Sequence, residues 1–223
     1  MKKRILAVFL TATMVFGANV QVFAADTAPE TIGYPAETIT IQVDTPTFLT
    51  SEQLQELTEN APDFTETRST TILANRRITE SELTAWIEEY WELGGVNAFE
   101  LEVLRLINIE REKYNLQPLA IDPNLMMAAR FHSQEMADLR FFNHRSPHHG
   151  RGIYRAEMFG HENIQDHVWG IRENITGVTR SPQAAVQAWL NSPGHRAAIL
   201  GDSFLTIGIG AVQSGGTTAK FGS

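Results

Sequence analysis

The stretch FLTIGIGAV at 204–212 places the tightest constraint on what this chain can fold into. Leu205, Ile207, Ile209 and Ala211 alternate with Thr206, Gly208 and Gly210, which is the period of a strand. One face of that strand is apolar and the other nearly bare, so it suits a strand packed closely on one side. A short final strand near 217–221 can pair with it as a hairpin through Ser214-Gly215-Gly216.

The first residues have a different character. Lys2, Lys3 and Arg4 precede an apolar run from Ile5 to about Ala18, and Val22-Phe23-Ala24 reads as a small-x-small cleavage site. We therefore read residues 1–24 as a secretory signal peptide, with an apolar run too short for a membrane span. The expected location is extracellular. The chain has no cysteine, so its stability must come from a core and not from disulfides. Its formal charge of −8 would become −11 without the three basic residues of the signal. Such an acidic surface argues against nucleic acid or an anionic lipid face as the main partner.

Residues 25–70 hold nine acidic residues and one basic one, with prolines spread along them, the composition of an extended, mostly disordered segment. Two pieces stand apart from it: Glu37 to Val43 alternates like a strand, and Thr50 to Glu59 has a Ser51 cap with Leu54 and Leu57 at helical spacing. Residues 71–96 form a helical lead-in. Thr79 to Glu82 is a capping box, Leu83, Ile87 and Trp91 share a face, and Gly94-Gly95 ends the helix. A second box at Asn97 and Glu100 opens a helix along Phe99, Val103, Leu106, Ile107 and Tyr114, with Glu102, Arg105, Glu110 and Arg111 on its exposed side. The folded domain starts here and runs from 97 to 223.

Asp122-Pro123 caps the next helix, along Leu125, Ala128, Ala129, His132, Met136 and Leu139. His132 lies on that apolar stripe, where a core histidine bonded to backbone is the expectation. In FFNHRSPHHGRG, Phe141 and Phe142 can anchor a loop; His144, His148 and His149 could together supply metal ligands, against which a His-His pair in a glycine-rich loop reads as solvated. Residues 153–180 read as turns and short extended pieces. Early helices followed by late strands joined by tight turns point to an α+β fold with an antiparallel sheet.

Six of the seven histidines fall between His132 and His167, and the seventh is His195. In SPQAAVQAWLNSPGHRAAIL (181–200), Ser181-Pro182 starts one helix and Ser192-Pro193 a second, placing His195 in a first turn, where an imidazole tends to stay neutral. Glu-Asn-Ile occurs at 162–164, as a surface turn, and at 173–175, fenced by glycines, where Glu173 can point into a cleft. No G-x-S-x-G, H-E-x-x-H or P-loop is present, and Ser146 and Ser192 both precede proline, so no serine nucleophile is expected.

Taken in order, LINIEREKYNLQPL (106–119), FFNHRSP (141–147), GIRENITG (170–177), AWLNSPGHRAAIL (188–200) and FLTIGIGAV (204–212) resemble a bacterial CAP domain. This is the superfamily of cysteine-rich secretory, antigen 5 and pathogenesis-related proteins. The resemblance covers about residues 97–223. It implies a three-layer α-β-α sandwich with a central antiparallel sheet and a cleft lined by histidines and glutamates, which binds zinc or another divalent cation in several members. Carried over by motif, His144 and His195 are the metal-ligand candidates and Glu173 the cleft carboxylate. The second glutamate of the pattern falls on Ser192. Arg145 and Asn174 are expected to steady the loops of the site, while His132, His148, His149 and Glu162 stay outside it. The last strand, TTAKFGS, lacks the aromatic residues often seen before the final Phe-Gly.

The function these residues imply is a secreted, non-enzymatic binding module for a small lipid-like or peptide ligand, with a cleft able to take a divalent ion. A metal-dependent hydrolase acting on extracellular or cell-wall peptides, with Glu173 as base, is the alternative. A third reading treats the cleft residues as a structural hydrogen-bond network.

Overall fold

The computed structural model describes residues 20–24, 39–43, 46–64, 67, 69–161, 171–177, 181–213 and 216–222. Residues 1–19 of the expected signal, Glu162-Asn163-Ile164 and His167 lie outside them. Strands β1 (Val20–Ala24) and β2 (Ile39–Val43) pair antiparallel, and β2 is the alternating piece noted above. Helix α1 (Ser51–Asn60) is the second such piece, so part of the 25–70 segment is ordered. Its cap is Thr50 in a reciprocal box with Gln53, and not Ser51, because the hydroxyl must precede the first helical residue to reach the N3 amide. Leu54 and Leu57 enter the core.

Helices α2 (Glu80–Glu92) and α3 (Ala98–Glu112) both begin with complete capping boxes, at Thr79/Glu82 and Asn97/Glu100. Gly94 and Gly95, at φ 91° and 67°, turn the chain between them, a conformation side chains rarely adopt. The buried face of α2 is centred on Trp86 and Tyr90, with Leu83, Ile87 and Trp91 at its margins. Arg111 is buried, not exposed: its guanidinium donates to the carbonyls of Gln117, Ile199, Gly201 and Phe204 and so ties α3 to the 199–204 connection.

The sheet runs in the order β3 (Ala120–Ile121), β5 (Thr206–Val212), β6 (Gly216–Gly222), β4 (Ile171–Thr176). It is antiparallel except where β3 joins β5 parallel. Helix α4 (Pro123–Asp138), capped by Asp122, lies on one face with α2 behind it. Helices α3, α6 (Pro182–Leu190) and α7 (Pro193–Ile199) cover the other, with α1 outside α3. This is the three-layer sandwich. The glycines of β5 explain the spacing: a Cβ on Gly208 would stand 2.0 Å from the Leu125 carbonyl carbon, and one on Gly210 1.9 Å from the Arg130 nitrogen. The opposite side of the strand sends Ile207, Ile209 and Ala211 into the core shared with α3 and α6. Leu205 is half exposed, because the strand proper begins after it.

One further helix, α5 (Gly152–Met158), occupies part of the segment read as turns. Its sequence offers no side-chain cap, and its placement depends on Arg155, which is fully buried.

Candidate functional site

The centre of the site is Glu173 on the edge strand β4. Alternation along β4 sends Glu173 to the α4 and α5 side of the sheet, level with Lys220 of β6, while Asn174 faces α7. Lys220 and Arg155 both donate to Oε2 of Glu173, Arg155 at 2.8 Å, and Arg155 reaches Oε1 at 3.1 Å. His144 Nδ1 is 3.1 Å from the same Oε1. Gly152, first residue of α5, lies against this cluster: a Cβ there would be 3.0 Å from Glu173 Oε2 and 3.1 Å from Lys220 Nζ.

These contacts fix the protonation states. Burial works against a charged Glu173, but Lys220, the His144 hydrogen bond and Arg155 outweigh it and hold its carboxyl well below the usual carboxylate range. Burial lowers Lys220 to about 8 even beside its partner. Since Glu173 is ionised, His144 donates to it from Nδ1; the His144 side chain is 53% exposed. The imidazole of His195, in the first turn of α7, lies with its ring centre 6.4 Å from that of His144. Its basicity is lowered, first by burial and then by the neighbouring His144. Asn174 is buried and donates to the His195 carbonyl at 3.0 Å, which holds α7 on β4. Ser192 caps α7 by position only, making no side-chain cap bond.

His144, His195, Glu173 and Asn174 thus come together at the β4 edge, with Ser192 in the adjoining turn. Sequence reasoning misses Arg155 and Lys220. Lys220 sits between Ala219 and Phe221 in a strand, and Arg155 follows Tyr154 in a segment with no helix signal, so neither charged side chain advertises burial. Arg145 is exposed, and its backbone amide bonds the Asn143 side chain.

A second carboxylate lies deeper. Glu135 of α4 accepts from Ser146 and, at 2.7 Å, from His149 Nδ1. His149 is buried and not solvated: its Nε2 accepts from the Ile78 amide at 3.0 Å, which places its proton on Nδ1. His148 pairs with the Asn75 side chain. His132 donates from Nε2 to the Asn143 carbonyl at 3.1 Å, the backbone-bonded core histidine expected, while its Nδ1 faces Glu135 Oε2 at 3.6 Å. Phe142 is 58% exposed and anchors nothing.

Burial lowers His132 to about 4, so it is neutral in the fold and would titrate near 6.5 in the unfolded chain. Its contribution to stability is present above pH 6.5 and lost as pH falls toward 4, a change on the order of 2–3 kcal/mol. Glu135, lowered to about 2 against its burial with bonds from His149 and Ser146 on its Oε1, adds a loss between about 4.5 and 2. Urea midpoints measured from pH 7 to 4 should fall steadily, and the His132→Gln variant should show a flatter profile over that window.

The donor set is a sparse one for a metal ion. Among the described residues no group of three His, Asp or Glu side chains is placed to hold one. Both Glu173 oxygens are committed to cations, so what the cleft offers is two imidazoles, one of them oriented by a carboxylate. A hollow of about 350 Å³ lies apart from the cleft, between Thr70–Ile72 and the Gln134/Asp138 end of α4.

A helix-clad sheet with histidines meeting over a buried glutamate at its edge defines an α-β-α sandwich of the SCP type. Residues 104–221 match the cysteine-rich secretory protein family (CAP), and the chain belongs to that family. It is 42% identical over 120 residues to the uncharacterized protein YkwD of Bacillus subtilis, covering 54% of this chain and 45% of that protein. To the uncharacterized membrane protein YlbC of the same organism it is 35% identical over 111 residues, covering 50% and 31%. The chain therefore spans less than half the length of these relatives. A crystal structure of an extracellular SCP-domain protein from Bacillus anthracis superposes with a TM-score of 0.51 at 29% identity, covering 65% of this chain and 44% of that one.

Proposed function

We propose that the chain is an extracellular, non-enzymatic binding module whose ligand seats on the His144/His195 pair. The observation that carries this reading is the state of Glu173. A carboxylate held by both Lys220 and Arg155, far below its ordinary pKa, is a poor proton acceptor at neutral pH. Ser192 stands where a second carboxylate would complete an acid–base pair. An extracellular location is supported by the extracellular SCP-domain neighbour and by the basic-apolar start of the sequence; among the described residues no helix is long and apolar enough to cross a membrane.

The test is turnover. The protein lacking residues 1–24, incubated with quenched fluorescent peptides with and without zinc, should show no cleavage above background. Cleavage that disappears in Glu173→Gln would replace this reading with the hydrolase. A divalent ion is a second reading, favoured by one detail: an imidazole whose far nitrogen donates to a carboxylate is the arrangement metal-ligating histidines use. Calorimetric zinc titration of the chelator-treated protein beside the His144→Ala/His195→Ala variant decides it. Saturable heat lost in the variant supports the ion, and equal traces remove it.

A further inference from the structure

The charge around the cleft is opposite to that of the chain. The formal net charge is −8, yet among the described residues the segments that wall the histidine pair, 139–156, 174–177 and 181–201, contain no aspartate or glutamate. The first carries Arg140, Arg145, Arg151 and Arg155 with three histidines, and the next acid along it is Glu157, in the last turn of α5. Among the described residues the carboxylate at the cleft is Glu173, and it is already matched by two buried cations.

The exposed arginines are also unspent. Among the described residues Arg76, Arg105 and Lys113 pair with glutamates, whereas the side chains of Arg140, Arg145 and Arg151 have no carboxylate partner. Arg145 follows His144 in the chain. Arg151 precedes Gly152, which packs on the Glu173–Lys220 pair, so both arginines flank the site. The same segment exposes two large rings, Phe142 three residues before Arg145 at 58% and Tyr154 three after Arg151 at 57%, the latter lying over Gly150.

From this arrangement we infer that the ligand of the cleft is an acidic peptide lying over the His144/His195 pair, its carboxylates met by Arg145 and Arg151 and its apolar side chains by Phe142 and Tyr154. The inference rests on reading the cleft as a binding site and adds the ligand class. Guanidinium forks suit carboxylates, a field of one sign concentrates ligands of the other, and exposed aromatic rings beside arginine are the composition of peptide-recognising surfaces. The acidic remainder of the chain repels the same peptide elsewhere, which confines it to the cleft.

The experiment is fluorescence anisotropy of fluorescein-labelled decaglutamate and decaglutamine with the protein lacking residues 1–24 at about 150 mM salt, where surface charges beyond about 8 Å are screened. Decaglutamate should bind and decaglutamine should not. Arg145→Ser/Arg151→Ser, both exposed and unpaired, should keep the melting temperature and weaken decaglutamate roughly three- to tenfold. Histidine ring NMR signals of His144 and His195 should shift on adding decaglutamate. Equal binding of the two peptides, full affinity in the arginine variant, or displacement by inorganic phosphate at equal concentration would overturn the acidic-peptide class. Ring shifts with decaglutamine alone would overturn that class and leave the binding module standing; no ring shifts with either peptide would count against both.

Discussion

Gly210→Ala is expected to leave little folded protein. The new Cβ would stand 1.9 Å from the Arg130 nitrogen, 2.2 Å from the Ala129 carbonyl carbon and 2.3 Å from the Arg130 Cα. All three are backbone atoms of α4, so no side chain can swing away to make room. The helix would have to lift off the sheet, and it is held from behind by the cluster of Trp86, Tyr90, Phe131 and Phe159. Overpacking of this kind costs roughly 3 kcal/mol or more, a large part of the stability of a domain this size. Urea unfolding measures it, with Gly194→Ala as the comparison. Gly194 lies in α7, and a methyl group added there would meet nothing within 4 Å, so that variant should match or slightly exceed the parent.

Arg130→Met should be nearly as damaging, for an electrostatic reason. Arg130 and Glu100 are both buried and joined by two hydrogen bonds, the Nε one at 2.7 Å. Arg130 also donates to the Gly95 carbonyl at 2.7 Å and lies over the Tyr90 ring. Glu100 accepts from the amides of Asn97 and Ala211, so one ion pair joins α3, α4, β5 and the turn before α3. Removing the cation leaves an unpaired buried carboxylate, at a cost of about 3–5 kcal/mol. The double variant Arg130→Met/Glu100→Gln should recover part of that loss, because it removes the stranded charge. If the double variant is no more stable than Arg130→Met by urea unfolding, the pair is not what holds these elements together.

The two residues also show where sequence reading succeeds and where it stops. Glu100 is visible as half of a capping box because a cap is local: Asn97 and Glu100 meet within one turn whatever surrounds them. Its second task, holding Arg130, depends on a residue 30 positions away. Arg130, Arg111, Arg155 and Lys220 are all buried cations, and amphipathic patterning assigns each to solvent. The same blindness hides the burial of His149, whose partner Ile78 lies 71 positions earlier. Helix α5 escapes because neither its first residue nor its cap carries a helix signal. In contrast, the β5–β6 hairpin, α4, α6 and α7 are legible from turn and cap residues. The meeting of His144, Glu173 and His195 rests on motif resemblance, because residues on a loop, a strand and a helix share no periodicity.

Thr47, in the extended segment ahead of α1, exchanges two backbone hydrogen bonds with Ile121, at 2.9 and 2.8 Å, on the outer side of β3. An uncovered strand at that rim would offer free amides and carbonyls to any passing chain. Residues 46–60 therefore act as a guard against self-association as well as an anchor. A version of the protein trimmed to residues 97–223 should form sheet-rich aggregates on storage, while one that begins ahead of Thr47 should stay monodisperse.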